Sequence, residues 1–250
     1  MKTVCKENMC TGCMACLETC NKSAITIRDT LKEYNAVINE KLCVDCGACH
    51  KACQNNNEPV FSKTLYWHQG WSKDKREYSS SGGAAAELIN AFLNCGGTVC
   101  SCAFKYGKFG FYFAPDEVQP REYTGSKYVK SSPDGIYKRI GGLLKENKKV
   151  LFLGLPCQVA AVKGFVGRRY QGNLYTVDLI CHGSPSPRLL EMFLSNYGIH
   201  LDALDNITFR NKTRFGLRPE FRQIESPRVQ DTYTFAFLKG LNYNHSDRKS

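Results

Sequence analysis

Apolar and polar positions divide the chain into short elements. Val150–Leu155 is an unbroken apolar run ended by Pro156, the pattern of a strand buried on both faces. Pro156 opens a helix through Val166, Leu174–Ile180 reads as a further strand, and Pro187 opens a helix ending near Gly198. A helix capped by Asp134 and running to about Asn147 precedes them. The β–α–β–α rhythm from Asp134 to Tyr197 predicts a parallel sheet. Upstream, Ala84–Leu93 is Ala-rich, carries Leu88 and Phe92, and stops at Gly96-Gly97, so it reads as a helix. Thr98–Phe104 and Phe109–Ala114 read as strands, and the aromatic stretch Leu65–Trp71 is strand-like. Near the N-terminus, Ala24–Arg28 and Ala36–Asn39 are short strands joined by a polar turn.

Composition narrows the class. The 250 residues are 42% hydrophobic and 23% charged, so wholesale disorder is excluded. The apolar stretch Val150–Val162, broken by Gly154, Pro156 and Gln158, is too short for a membrane span, which needs ~20 apolar residues. No apolar leader follows the initial Met, and 14 cysteines without export point to a reducing compartment, hence the cytoplasm.

The cysteines are concentrated at one end. Cys10, Cys13, Cys16 and Cys20 follow C-x2-C-x2-C-x3-C, and Cys43, Cys46, Cys49 and Cys53 repeat the spacing. This duplication is the spacing of bacterial two-cluster ferredoxins. Three cysteines on a tight loop can wrap three irons of one cubane, while the fourth starts a helix that reaches the other. The expected sets are Cys10, Cys13 and Cys16 with Cys53, and Cys43, Cys46 and Cys49 with Cys20. Gly12, Ala15, Gly47 and Ala48 leave room for backbone N–H groups to approach the sulfurs. Zinc fits poorly, because its sites close on four ligands with a longer central gap. Asn21 and Gln54 stand where a proline usually follows the fourth Cys, and Cys5 reads as a plain thiol. The chain is therefore expected to be an α+β ferredoxin-like dicluster head (1–60) followed by an α/β domain with a mainly parallel sheet (61–250).

Two features of the body carry candidate chemistry. Ser79–Gly83 is a Gly/Ser loop at a helix start, with Lys73, Lys75 and Arg76 just upstream. Its N–H groups and the helix dipole suit a phosphate, and an ordinary capping turn fits equally well. Neither G-x-G-x-x-G after a strand nor G-x4-G-K-[ST] is present. Cys157 and Cys181 both follow predicted parallel strands, where open α/β sheets bind ligands, and Asp178 and His182 flank Cys181. Singly each reads as a buried thiol or a surface side chain; their shared position favours function. Cys95, Cys100 and Cys102 have no ligand spacing and read as structural.

Charge separates the two parts. Residues 1–60 hold seven Lys/Arg and seven Asp/Glu, so the net +11 lies in the body. Arg210, Arg214, Arg218 and Arg222 recur every four residues among Phe209, Phe215 and Phe221. Gly216 and Pro219 argue against a helical stripe, and no nucleic-acid module is present, so anion binding or docking is favoured.

Together these segments resemble the coenzyme F420 hydrogenase/dehydrogenase beta subunit family. The resemblance lies in SSGGAAAELINAFL (80–93), GLPCQVAAVKGF (154–165), TVDLICHGSPSP (176–187) and ITFRNK (207–212), beside the dicluster head. It implies two 4Fe–4S clusters and FAD. It places the FAD near Ser80, Ser81, Gly82, Gly83 and Lys73, and gives Cys157 and Cys181 a redox or cluster-ligand role. It further implies a redox partner protein (a ferredoxin, hydrogenase or dehydrogenase subunit) and a small-molecule or deazaflavin-type electron donor or acceptor. Members usually continue with a further C-x2-C and a D-x-x-x-x-D-F-W-G-like stretch, so this chain is expected to be a shortened form. The function expected is an iron–sulfur flavoprotein oxidoreductase. The alternatives are a ferredoxin-type carrier or docking subunit without flavin, and single-strand nucleic-acid binding. No catalytic acid is identified, with His182 the only candidate.

Overall fold

The computed structural model describes residues 1–58, 63–114, 120–210, 215–221 and 233–234. In the head, helix α1 (Ala15–Thr19) follows the first Cys loop, strands β1 (Ile25–Asp29) and β2 (Tyr34–Ile38) pair antiparallel, and helix α2 (Ala48–Ala52) follows the second loop. Val4, Ile25, Tyr34, Ala36 and Ile38 form a small core with Cys10, Cys16 and Cys53.

The body begins with helix α3 (Ala84–Asn94), then strands β3 (Thr98–Lys105) and β4 (Lys108–Phe113) and a short helix α4 (Pro120–Tyr123). Helix α5 (Ile136–Lys145), strand β5 (Val150–Gly154), helix α6 (Pro156–Val166) and strand β6 (Leu174–Asp178) follow. Helix α7 (Pro187–Ser195) leads to strands β7 (Leu204–Arg210) and β8 (Phe215–Phe221). The central sheet has the order β4-β3-β5-β6. β5 is parallel to both β3 and β6, and only the β3–β4 hairpin is antiparallel.

Strand periodicity of two sorts the sheet's side chains into layers. Cys100, Phe111, Val150 and Phe152 face α5 and α6, while Val99, Ala103, Leu151 and Leu153 face α3 and α4. All five residues of β5 are buried, as its apolar run requires. Phe152 stacks on Phe111 with ring centroids 5.0 Å apart, and full burial of such a ring contributes about 3 kcal/mol. A third core joins α7 and β7 to Phe104 and Phe109 of the hairpin.

The head does not sit apart. Cys13 and Ala15 enter the core formed by α5 and α6. The buried Tyr137 hydroxyl donates to the Cys13 carbonyl at 2.9 Å. Ser186 donates to the Asp29 carboxylate, and Arg188 donates to the Asp29 carbonyl at 2.9 Å, so the end of β1 is tied to the start of α7.

Three local expectations need correction. Leu65–Trp71 forms no strand; Leu65, Tyr66 and Trp67 are exposed, and no strand among the described residues pairs with them. Asp134 does not cap α5. The cap position is Gly135 at φ +79°, which offers no side chain, and the anion at this helix start comes from Glu18 in the head. β6 ends at Asp178, two residues before the predicted end, and Leu179–Ser184 becomes a loop. In the arginine segment, Arg210 ends β7 and Arg218 stands on β8 opposite Thr208, so the described part is a hairpin. Arg214 and Arg222 lie outside the described residues. Among the described residues no helix is long and apolar enough to cross a membrane.

Candidate functional site

The two cysteine loops share backbone as well as spacing. The second residue after the first Cys has positive φ in both, Gly12 at 68° and Asp45 at 51°. The fourth does so too, Met14 at 62° and Gly47 at 69°. Alternation of left- and right-handed residues turns successive N–H groups toward one centre, a nest for anions. In each loop the first sulfur receives such an N–H: Gly12 N–H reaches Cys10 Sγ at 3.4 Å, and Asp45 N–H reaches Cys43 Sγ at 3.5 Å. Glycine occupies only one repeat at each position. Asp visits the left-handed region with little penalty, whereas Met14 holds a conformation that costs an ordinary residue about 1 kcal/mol or more.

The first loop and Cys53 close on each other. Burial pushes the Cys16 thiol up, and its next neighbours in effect are Cys13, Cys10 and Cys53. Cys49 is likewise raised by burial, with Cys20 and Cys43 close by. Cys10, Cys13, Cys16 and Cys53 are buried, Cys20, Cys43 and Cys49 are half-buried, and Cys46 is exposed. Cys5, read from sequence as a plain thiol, is buried beside Cys10 and Cys53, and their mutual influence lowers those two thiols and raises its own. Gln54, in the usual proline position, donates to Thr11 Oγ1 at 3.0 Å and links the two repeats.

Among the described residues no three His, Cys, Asp or Glu side chains close to single-ion geometry. A cubane does not ask for that, because it spreads four thiolates over four corner irons. Thiolate donors with backbone N–H groups aimed at sulfur, in loops of left-handed turns, fit a 4Fe–4S group chemically.

The second feature is a cavity of about 550 Å³ in the body. The Ser79–Gly83 loop and the first turn of α3 form one wall, and the Leu179–Ser184 loop beyond β6 forms another. Gly83, at φ +84°, is the cap of α3 and offers no side chain to its first N–H groups. The structure thus brings Ser80, Ser81, Gly82 and Gly83 together with Cys181 and His182. Lys73 is exposed and does not line the cavity, nor do Lys75, Arg76 or the exposed Asp178.

The cation in the cavity wall is Lys127, whose Nζ donates to the Thr124 carbonyl at 2.8 Å. Burial lowers its pKa, opposed by the nearby Cys102. Cys102, which reads from sequence as structural, also lines the cavity, with its sulfur 2.8 Å from Ser131 Oγ. Nothing in the local pattern SKYVKSS (126–132) marks Lys127 as different from a surface lysine, so its role was not legible.

Cys157 and Cys181 have different neighbours. Cys181 accepts from the Gly183 N–H at 3.4 Å beside the cavity. Cys157 is buried at the start of α6, turned toward the head, where its charge would raise the Cys13 thiol. Lys130 Nζ donates to Cys157 Sγ at 3.5 Å.

Residues 9–57 match the model of the 4Fe-4S dicluster domain. Residues 147–233 match the model for the C terminus of the coenzyme F420 hydrogenase/dehydrogenase beta subunit. No curated protein matches the chain. Among solved structures, a chain of the F420-reducing NiFe hydrogenase complex from Methanosarcina barkeri is similar, at 19% identity and a TM-score of 0.45. The match covers 64% of this chain and 58% of that one, so this chain spans little over half the length of that relative. The head, residues 9–57, is thus similar to dicluster iron–sulfur domains. Within the body, residues 147–233 are similar to the C-terminal part of the coenzyme F420 hydrogenase/dehydrogenase beta subunit family.

Proposed function

We propose that the chain is an oxidoreductase that relays electrons between two 4Fe–4S clusters in the head and FAD in the cavity of the body. Its substrate would be a small molecule or a deazaflavin. Cys10, Cys13, Cys16 and Cys53 would hold the inner cluster, and Cys43, Cys46, Cys49 and Cys20 the outer one.

One observation carries this reading. Residues that face the first Cys loop alternate along the chain with residues that line the cavity. Lys130 and Cys157 face the head, while their neighbours Ser131 and Gln158 line the cavity. Gln158 Nε2 donates to the Ser131 carbonyl at 3.3 Å and its Oε1 accepts from the Leu155 N–H at 3.0 Å, so the wall is braced. Redox groups on its two sides would be close neighbours.

The cavity suits a flavin in size, since cofactor sites span roughly 300–1,000 Å³. The open N-terminus of α3 with the Ser80–Gly83 loop suits its phosphates, and Lys127 adds a positive charge in the same cavity. When bound, the flavin supplies exchange between one-electron and two-electron chemistry. A redox partner would meet the exposed outer loop around Cys46.

Cofactor stoichiometry on anaerobically purified protein tests the proposal. About eight irons and about one FAD per chain are expected. About eight irons without flavin would overturn the flavoprotein reading and leave a ferredoxin-type carrier.

A further inference from the structure

Lys130 is a lysine where lysines are rarely found. It is 2% exposed, in the seam between head and body. Its backbone N–H is fixed to the Pro185 carbonyl at 2.9 Å. Its ammonium lies 3.5 Å from Cys157 Sγ. A Cβ at residue 12 would stand 3.2 Å from Lys130 Cε and 3.0 Å from the Tyr34 ring. Glycine at that position therefore leaves the space through which the lysine reaches the first Cys loop.

Among the described residues the second loop has no equivalent. Its nearby cation is Lys2, which is paired with Asp45, with side chains 38% and 75% exposed. Water screens such a charge, and the aspartate offsets it. In the buried seam the effective dielectric is low and a charge acts over a longer range.

We propose that Lys130 sets the reduction potential of the cluster held by Cys10, Cys13, Cys16 and Cys53, making it more easily reduced than it would be without the buried ammonium. The effect is electrostatic. One electron, drawn from a low-potential one-electron donor, adds one negative charge to the cluster, and the adjacent cation favours the form that carries it. No bond forms or breaks and no proton moves. Lys130 is thus a positioning charge for the side of the head that faces the cavity. The inference rests on the dicluster reading and not on bound flavin.

The test is a potentiometric titration, followed by electron paramagnetic resonance, of the full chain loaded with iron and sulfide but free of flavin. A Cys46→Ser background isolates the inner couple. Lys130→Met is expected to shift that couple at least tenfold toward its oxidised form, about 59 mV for one electron. Lys130→Arg, which keeps the charge, is expected to restore most of the shift. In the chain with all eight ligand cysteines the outer couple is expected to stay in place, whereas Lys2→Met should move neither couple appreciably. Three results would overturn the proposal: no shift in Lys130→Met, equal shifts of both couples, or equal shifts in the Met and Arg variants. Loss of iron from the first site in both Lys130→Met and Lys130→Gln, with the second site intact, would also overturn it by making the residue structural. Absence of flavin from the purified chain would defeat the function proposed above and leave this result unaffected.

Discussion

The backbone N–H of Lys138 donates to Glu18 Oε2 at 3.0 Å, so the head of the molecule caps a helix of the body. The N–H groups of Gly135 and Tyr137 also act on this carboxylate. α5 has a glycine at its own cap position and takes its anion from 120 residues away in the chain.

Glu18 is expected to show this in stability measurements. Glu18→Ala removes the cap and should cost about 1 kcal/mol. Burial raises the Glu18 pKa above its ordinary 4.5, partly opposed by the N–H groups. The folded state therefore holds the proton more tightly than the unfolded state. That stabilisation is complete below the ordinary value and is lost as pH rises through the folded value. Glu18→Gln keeps an acceptor without burying a charge. It should be at least as stable as the parent at about pH 7.5, with the gap closing as the pH falls toward about 5. Denaturant midpoints at the two pH values check this, and a gap that widens on acidification would refute it.

Gly12 and Gly47 separate conformational strain from crowding. Both have positive φ, so alanine at either should cost about 1 kcal/mol. At Gly47 a Cβ would meet nothing within 4 Å, whereas at Gly12 it would press on the Tyr34 ring at 3.0 Å. Gly47→Ala should retain about eight irons, and Gly12→Ala should lose about half of them, from the first site. Iron and sulfide analysis of the two variants decides.

Cys53 belongs to the second motif in sequence and lies beside the first loop in space. Cys53→Ser is expected to disturb the buried cluster and leave the exposed one. Cys20→Ser should do the reverse. Magnetic resonance spectra of the two singly damaged proteins should therefore differ, and the surviving signal in Cys53→Ser should match that of Cys13→Ser.

Lys127 and Lys73 make opposite predictions for the cavity. Lys127 lines it and Lys73 is exposed outside it. Removing a charge-assisted contact typically costs about 1.5–3 kcal/mol. Lys127→Met should thus weaken FAD binding roughly tenfold or more, measured by fluorescence titration, and Lys73→Ala should leave it within about twofold. Equal losses would return the site to the loop upstream of α3.

Spacing and local backbone chemistry made much of this protein legible in advance. The two cysteine runs define the head, because ligand spacing follows from the reach of neighbouring side chains. The buried run Val150–Gly154 and the prolines at 156 and 187 mark β5, α6 and α7, because burial on both faces and a fixed φ are local demands. Leu65–Trp71 misled, since aromatic residues favour a strand only when another strand is there to pair with.

Tertiary structure alone decided how the parts are joined. Glu18, Lys127, Lys130 and Tyr137 sit in ordinary sequence, and their roles arise from elements distant in the chain meeting around them. It also parted Cys157 from Cys181, turning one toward the head and leaving the other at the cavity. The physical reason is that a ligand pattern or an apolar run is written in consecutive residues. The burial of a charge, and the field it exerts, depend on what packs against it from the rest of the fold.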